Sequence, residues 1–189
     1  MKKLLTSLIA FGLTFGAFAA SLETAYDADA YTTSTVLISP ARAGGQIVVK
    51  AVSAVSTNAA ATIKYYGRTG SPAASVSNGL SASRVYVSNA SYAFTNSDEV
   101  VFHHADSGVS DYRTITNSAT TYVELSSAVS EATGDGDKLY ELTQIGQVNI
   151  GTTAYNESGD AVLATPADSP LRVVNTGTGG NALTITVQK

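Results

Sequence analysis

The chain has 189 residues, no cysteine, no tryptophan, 14% charged residues and a formal net charge of −4. That length suits one domain. The composition excludes disulfide, zinc–thiolate and iron–sulfur sites, and the acidic excess argues against a basic nucleic-acid surface. Ser, Thr, Ala and Gly make up 89 of the 189 residues. Such small side chains suit thin sheets with many turns, and they leave few groups for acid–base or metal chemistry.

Residues 1–19 read as a secretory signal peptide. Lys2 and Lys3 precede an apolar run from Leu4 to Phe18, and Ala17-Phe18-Ala19 supplies a small-x-small cleavage pattern. Gly12, Thr14 and Gly16 thin the run, and Ser21, Glu23 and Asp27 follow at once, which argues against a membrane anchor. No cysteine follows for lipid attachment, and Leu183 to Lys189 resembles no sorting signal. Cleavage removes two of the 11 basic residues and leaves all 15 acids, a balance of about −6. Residues 20–189 are then one secreted β domain.

Residues 20–30 open that domain with strict alternation. Leu22, Thr24, Tyr26, Ala28 and Ala30 fall on one face, and Glu23, Asp27 and Asp29 on the other. The pattern predicts an amphipathic strand with an acidic outer face. Such a strand either pairs within its own domain or adds to an exposed edge of a neighbouring copy, with Leu22, Tyr26 and Ala28 as candidate self-association residues.

Further strands are predicted at Gln46–Lys50, Thr62–Tyr65, Arg84–Val87, Glu99–Phe102, Tyr112–Thr116, Tyr122–Leu125, Lys138–Thr143, Gln147–Ile150, Leu171–Val174 and Leu183–Val187. Turn-forming clusters separate them at Ala43-Gly44-Gly45, Gly67 to Pro72, Asn78-Gly79, Gly134 to Asp137, Ser158-Gly159-Asp160 and Thr176 to Gly180. Only Ser126 to Thr133 leaves room for a helical turn or two. About ten short strands at this spacing define an all-β, antiparallel β-sandwich or jelly-roll-like domain.

Reactive groups are sparse. His103 and His104 are adjacent, so one strand turns their rings to opposite faces and cannot offer both to one metal. Glu99 shares a face with His103, but about 13 Å of strand separates them. His104 and Asp106, about 7 Å apart on one face, are the better placed pair. Gly108-Val109-Ser110-Asp111 lacks the second glycine of a nucleophile elbow, and nothing marks a carboxylate pair for glycoside hydrolysis. Asp135 and Asp137 sit on a glycine turn that resembles a fragment of a calcium loop, with Glu131 and Glu141 as the remaining acids nearby; the full spacing is absent, and a solvated turn is the simpler reading. The chain is therefore expected not to be an enzyme, with a hydrolase as the alternative, and to carry no cofactor or metal. Asn89-Ala90-Ser91 and Asn156-Glu157-Ser158 match the N-glycosylation pattern.

Ten tyrosines carry most of the aromatic surface. Tyr65 and Tyr66 straddle two faces of one strand, and Tyr86 shares a face with Arg84, so Tyr65, Tyr66 and Tyr86 are candidate ligand-stacking residues.

The plan of signal peptide, about 170 mature residues, Ala/Ser/Thr/Gly-rich strands and a short alternating N-terminal segment is similar to that of bacterial fimbrial or other cell-surface structural subunits. The cysteine pair common in such pilins is absent. The expected function is an exported structural or adhesive protein, secreted, at the cell surface or periplasmic, whose partners are itself or other surface proteins. A secreted carbohydrate-binding module that uses surface tyrosines on glycans is the alternative. Neither nucleic-acid binding nor membrane insertion after signal cleavage is expected.

Overall fold

The computed structural model describes residues 21–29, 33–42, 44–76, 82–88 and 94–189. The predicted signal peptide, the Asn78-Gly79 turn and the Asn89 glycosylation pattern lie outside the described residues. Among the described residues thirteen strands run in chain order: β1 (Leu22–Asp29), β2 (Ser34–Ile38), β3 (Val48–Val55), β4 (Thr62–Arg68), β5 (Ala73–Val76), β6 (Arg84–Val87), β7 (Glu99–His103), β8 (Ser110–Ala119), β9 (Tyr122–Leu125), β10 (Lys138–Asn149), β11 (Tyr155–Ala164), β12 (Leu171–Asn175) and β13 (Asn181–Gln188). The predicted strands at 138–143 and 147–150 are one long strand, β10, with an irregularity between Gln144 and Gly146. Ser126 to Thr133 forms bends and no helix. Nor is Ser158-Gly159-Asp160 a connecting turn; it lies inside β11.

All pairings are antiparallel, in two sheets. Four strands take the order β1-β13-β3-β11, and nine take the order β2-β12-β4-β10-β5-β6-β9-β8-β7. The two sheets pack as a β-sandwich. Val49, Val52 and Ala54 of β3 and Leu183, Ile185 and Val187 of β13 meet Val36 and Ile38 of β2, Ile63 and Tyr65 of β4, and Leu171 and Val173 of β12. The alternation along β13, buried at every second residue, is the one its sequence predicts. Gly177 lies in the short crossover from β12 to β13. A Cβ there would reach 2.9 Å from Ser56 Cβ and closer still to two polar side-chain atoms, so only glycine fits.

The larger sheet does not stay open. The first half of β10 also pairs with β7, from Lys138 opposite His103 to Glu141 opposite Val100. That pairing closes β10-β5-β6-β9-β8-β7 into a six-stranded ring. Val85, Phe94, Val100, Phe102, Ile115, Val123 and Leu139 fill the ring with a core of their own. The second half of β10 pairs with β4 and belongs to the sandwich.

Where the ring meets the sandwich, Val101, Tyr140 and Leu142 pack with Leu37, Tyr66 and Tyr112. Arg172 of β12 crosses this seam. Its guanidinium lies 3.9 Å from the centre of the Tyr112 ring and 5.3 Å from that of Tyr66, and Nη1 bonds Glu99 Oε2 at 3.1 Å. The outer face of β4 and β12 is therefore partly covered by the ring wall, and Lys64, Tyr66, Arg68 and Arg172 are half-buried there.

Candidate functional site

The alternating N-terminal segment forms β1, which pairs over all eight residues with β13, from Leu22 opposite Gln188 to Asp29 opposite Asn181. The strand completes its own sheet. Of the two readings of this segment, pairing within its own domain is the arrangement seen: Lys189, Thr35 and the whole length of β13 bond to it. Its facing is the reverse of the one expected. Glu23, Ala25 and Asp27 turn inward and are half-buried, while Leu22, Thr24, Tyr26 and Ala28 turn outward. The inward acids find partners at the rim of the sandwich. Lys189 Nζ lies 2.7 Å from Glu23 Oε2, and the Thr35 N–H donates to Asp27 Oδ2 at 2.6 Å. With those bonds made, the two large side chains are left outside: Leu22 is 69% exposed and Tyr26 67%. They are the most prominent apolar groups on the described surface.

Beside them lies a flat polar grid. Tyr26 is opposite Thr184, Thr184 opposite Ser53, and Ser53 opposite Asn156; one row along, Thr24, Thr186, Ala51 and Ser158 align. Thr24 and Thr186 share a hydroxyl hydrogen bond of 3.1 Å. Ser53, Asn156, Ser158, Thr184 and Thr186 line a shallow groove of about 310 Å³ on this face.

The three candidate stacking tyrosines fare differently. Tyr65 points into the sandwich core at 4% exposure, so it offers no face to a ligand and is corrected to a core residue. Its hydroxyl is buried without a hydrogen-bond partner, and burial pushes its pKa well above the ordinary phenol range. Tyr66 does lie on the opposite face, half-buried at the seam, where the Arg172 guanidinium already stands 5.3 Å from its ring. The two-face reading of Tyr65-Tyr66 holds for direction, but the second face of β4 is partly taken up by the ring wall. Tyr86 stays 39% exposed on the outside of the ring, edge-on to Tyr122 at 6.2 Å. Arg84 stacks 4.4 Å above the Tyr122 ring and bonds Glu124.

The histidines are separated as predicted, with partners the sequence reading missed. His104 is 2% exposed and lies between two carboxylates: Nε2 is 3.2 Å from Asp111 Oδ2, and Nδ1 is 3.4 Å from Asp137 Oδ2. Asp106, the expected partner, is exposed. Asp111 Oδ2 also accepts the Ser130 N–H at 2.7 Å and the Ser130 hydroxyl at 2.8 Å, and its Oδ1 takes Arg113 at 3.0 Å. Burial raises the pKa of this carboxyl, but the Ser130 hydrogen bonds and the Arg113 charge outweigh it and hold the group below the ordinary carboxylate range.

Asp137 is as buried as His104, which corrects the solvated-turn reading for this residue; Asp135 remains exposed. The Asp137 carboxylate accepts the N–H groups of Ala105 at 2.8 Å and Gly134 at 2.7 Å. A sequence signal for part of this existed. Asp106-Ser107-Gly108 marks the β7–β8 hairpin, and counting back from it puts His104, Phe102 and Asp111 on one face. Nothing local announced Asp137, which returns from the far side of β9.

His103 faces the seam instead, its Nδ1 2.9 Å from Ser110 Oγ, which in turn lies 3.0 Å from Ser39 Oγ. Burial pushes the His103 pKa below that of a free imidazole. The parts of a nucleophilic triad are thus divided: the serine bonds one histidine and the carboxylates the other. His104, with a carboxylate at each nitrogen, serves as a pin that ties the β7–β8 hairpin to the loop before β10.

Among the described residues no cluster of His, Asp and Glu is placed to hold a metal ion, and no helix is long and apolar enough to cross a membrane. No family model matches the chain, and no curated protein or solved structure matches it either.

Proposed function

We propose that this chain is an exported structural or adhesive protein that associates with copies of itself, or with other surface proteins, by β-strand addition along β1. The observation that supports the reading is β1 itself. Among the described residues it pairs on one side only, with β13, and it carries Leu22 and Tyr26 almost bare on the adjoining face. A regular edge with unpaired backbone donors and acceptors is a template for another strand, and flanking apolar side chains add area to the contact. Burying one such side chain is worth about 1.5–3 kcal/mol, before ordering costs. The predicted signal peptide and the scarcity of exposed reactive groups agree with an exported scaffold.

The test is cell fractionation of the full chain together with its mass in solution and electron microscopy of the product. Export and a mass of two or more copies support the proposal. Retention in the cytoplasm, or a single-copy mass at every concentration, overturns it.

One observation favours the carbohydrate-binding reading. Tyr26 stands at the end of a row of hydroxyl and amide side chains beside the shallow groove, and an aromatic face next to convergent polar groups suits a sugar ring. A glycan array that gives binding abolished by Tyr26→Ala would make this the primary function.

A further inference from the structure

We infer that β1 pairs with β1 of a second copy, antiparallel about a two-fold axis at Thr24, so that two four-stranded sheets join into one of eight. This rests on the self-association reading above and gives it a partner, a register and a symmetry.

The four-stranded sheet has two edges, and they are built differently. At one end, β11 loses its pairing with β3 between Ser158 and Leu163, and Lys50 Nζ already bonds the Asp160 carbonyl. Such a bulge twists an edge away from a new partner. At the other end, β1 follows β13 for eight residues with no break in register, so its second edge is equally regular. Leu22 to Asp29 contains no proline and no lysine to block it. The large exposed side chains are on the regular edge.

The residues themselves select the register. In an antiparallel pair of identical strands, opposed residues point to the same face, and the two-fold axis passes through one residue position. An axis at Glu23 or at Asp27 opposes each acid to its own copy. An axis at Ala25 sets Glu23 against the second copy's Asp27, and one at Tyr26 sets Glu23 against its Asp29. At Ala28, Asp27 meets Asp29. Like charges directly opposed destabilise a strand pair. An axis at Thr24 opposes no two acids: Glu23 meets Ala25, and Leu22 meets Tyr26 twice over. That register alone also covers both exposed apolar side chains in each copy. Because the contact is isologous it closes at two copies and does not run on as a filament, and each end of the joined sheet is a bulged β11.

The absence of cysteine makes the register directly readable. The full chain is expressed with its leader sequence intact, as wild type and as the single variants Thr24→Cys and Ala28→Cys, and oxidised under mild conditions. Opposed Cα atoms in an antiparallel pair are about 4.5–5.5 Å apart, inside the range a disulfide spans. Two copies of position 28 would be eight residues apart along the strand, about 27 Å. The expected result is a two-copy mass for wild type, near-complete cross-linking of Thr24→Cys and none of Ala28→Cys. Leu22→Lys/Tyr26→Lys should shift the mass to one copy with an unchanged β circular-dichroism spectrum. An associated protein in which Thr24→Cys does not cross-link, or Ala28→Cys does, overturns this register and leaves self-association standing. An open ladder of species without a Thr24 cross-link does the same, and points to β1 on β11 of the next copy. A single-copy mass for wild type overturns both the register and the reading beneath it.

Discussion

Replacing His104 by alanine tests whether the buried Asp111–His104–Asp137 cluster holds the ring together. The imidazole sits at 2% exposure with a carboxylate oxygen 3.2 Å from one nitrogen and 3.4 Å from the other, and its ring packs edge-on to Phe102 at 4.9 Å. The substitution removes both polar contacts and leaves a void beside Phe102. The two carboxylates do not lose all support. Asp111 keeps Ser130 and Arg113, and Asp137 keeps the Ala105 and Gly134 N–H groups. Leaving two buried carboxylates each short of one hydrogen-bond partner, with a void beside them, costs about 3–5 kcal/mol. The retained bonds place this case at the lower end, about 3 kcal/mol, a large part of the roughly 5–15 kcal/mol by which domains are stable. For a chain of this size that is a fall in Tm of about 6–12 °C. Urea unfolding followed by circular dichroism gives the number directly, and His104→Gln, which keeps one amide donor, should recover part of the loss. A cost below about 1 kcal/mol for His104→Ala would refute the argument, since a surface-like value means that the ring is not bearing on the buried carboxylates.

Arg172→Met should cost about 2 kcal/mol in urea unfolding, because the guanidinium stacks on Tyr112 and bonds Glu99 across the seam; Arg172→Lys should not restore it, since an ammonium lacks the planar face. Stability should fall as pH rises above about 10. Burial and a Glu99 hydrogen bond raise the Tyr112 pKa to about 12, so its neutral form is favoured in the fold while the unfolded chain already ionises; a phenolate absorbance titration should show delayed ionisation, reduced by one group in Tyr112→Phe. On the acid side, the lowered His103 pKa means that the unfolded chain takes up its proton first. Stability should therefore decline as pH falls below about 6.5, and His103→Gln should flatten that part of the curve. Gly177→Ala should destabilise by about 1–3 kcal/mol, read by thermal unfolding, because the new methyl meets Ser56 in a crossover with no room to shift.

Much of the fold was legible in the residues one strand at a time. Alternation located β6 and β9 at their bounds and β4, β7, β12 and β13 within a few residues, because a half-buried strand must place apolar groups at every second position. It also showed that His103 and His104 part company, and that residues 22–28 form a strand with two unlike faces. Small polar strands were less visible. β5 and β11 carry little apolar contrast, and Gly159, which looked like a connecting turn, marks a bulge inside β11.

Which face of a strand meets which neighbour was decided only by the tertiary structure. Period two says that Tyr65 and Tyr66 point apart, but not that a closed ring partly covers the second side of β4. It says that Glu23 and Asp27 oppose Leu22 and Tyr26, but not which set turns inward. Lys189 and the Thr35 N–H stand at the rim to receive the acids, and those partners arrive from residues distant along the chain. The cluster of His104 with Asp111 and Asp137 arises in the same way. Local sequence determines how side chains are distributed about one strand's axis; the closure of β7 on β10 and the packing of two sheets determine which distribution is buried, because burial is a property of what lies across the gap.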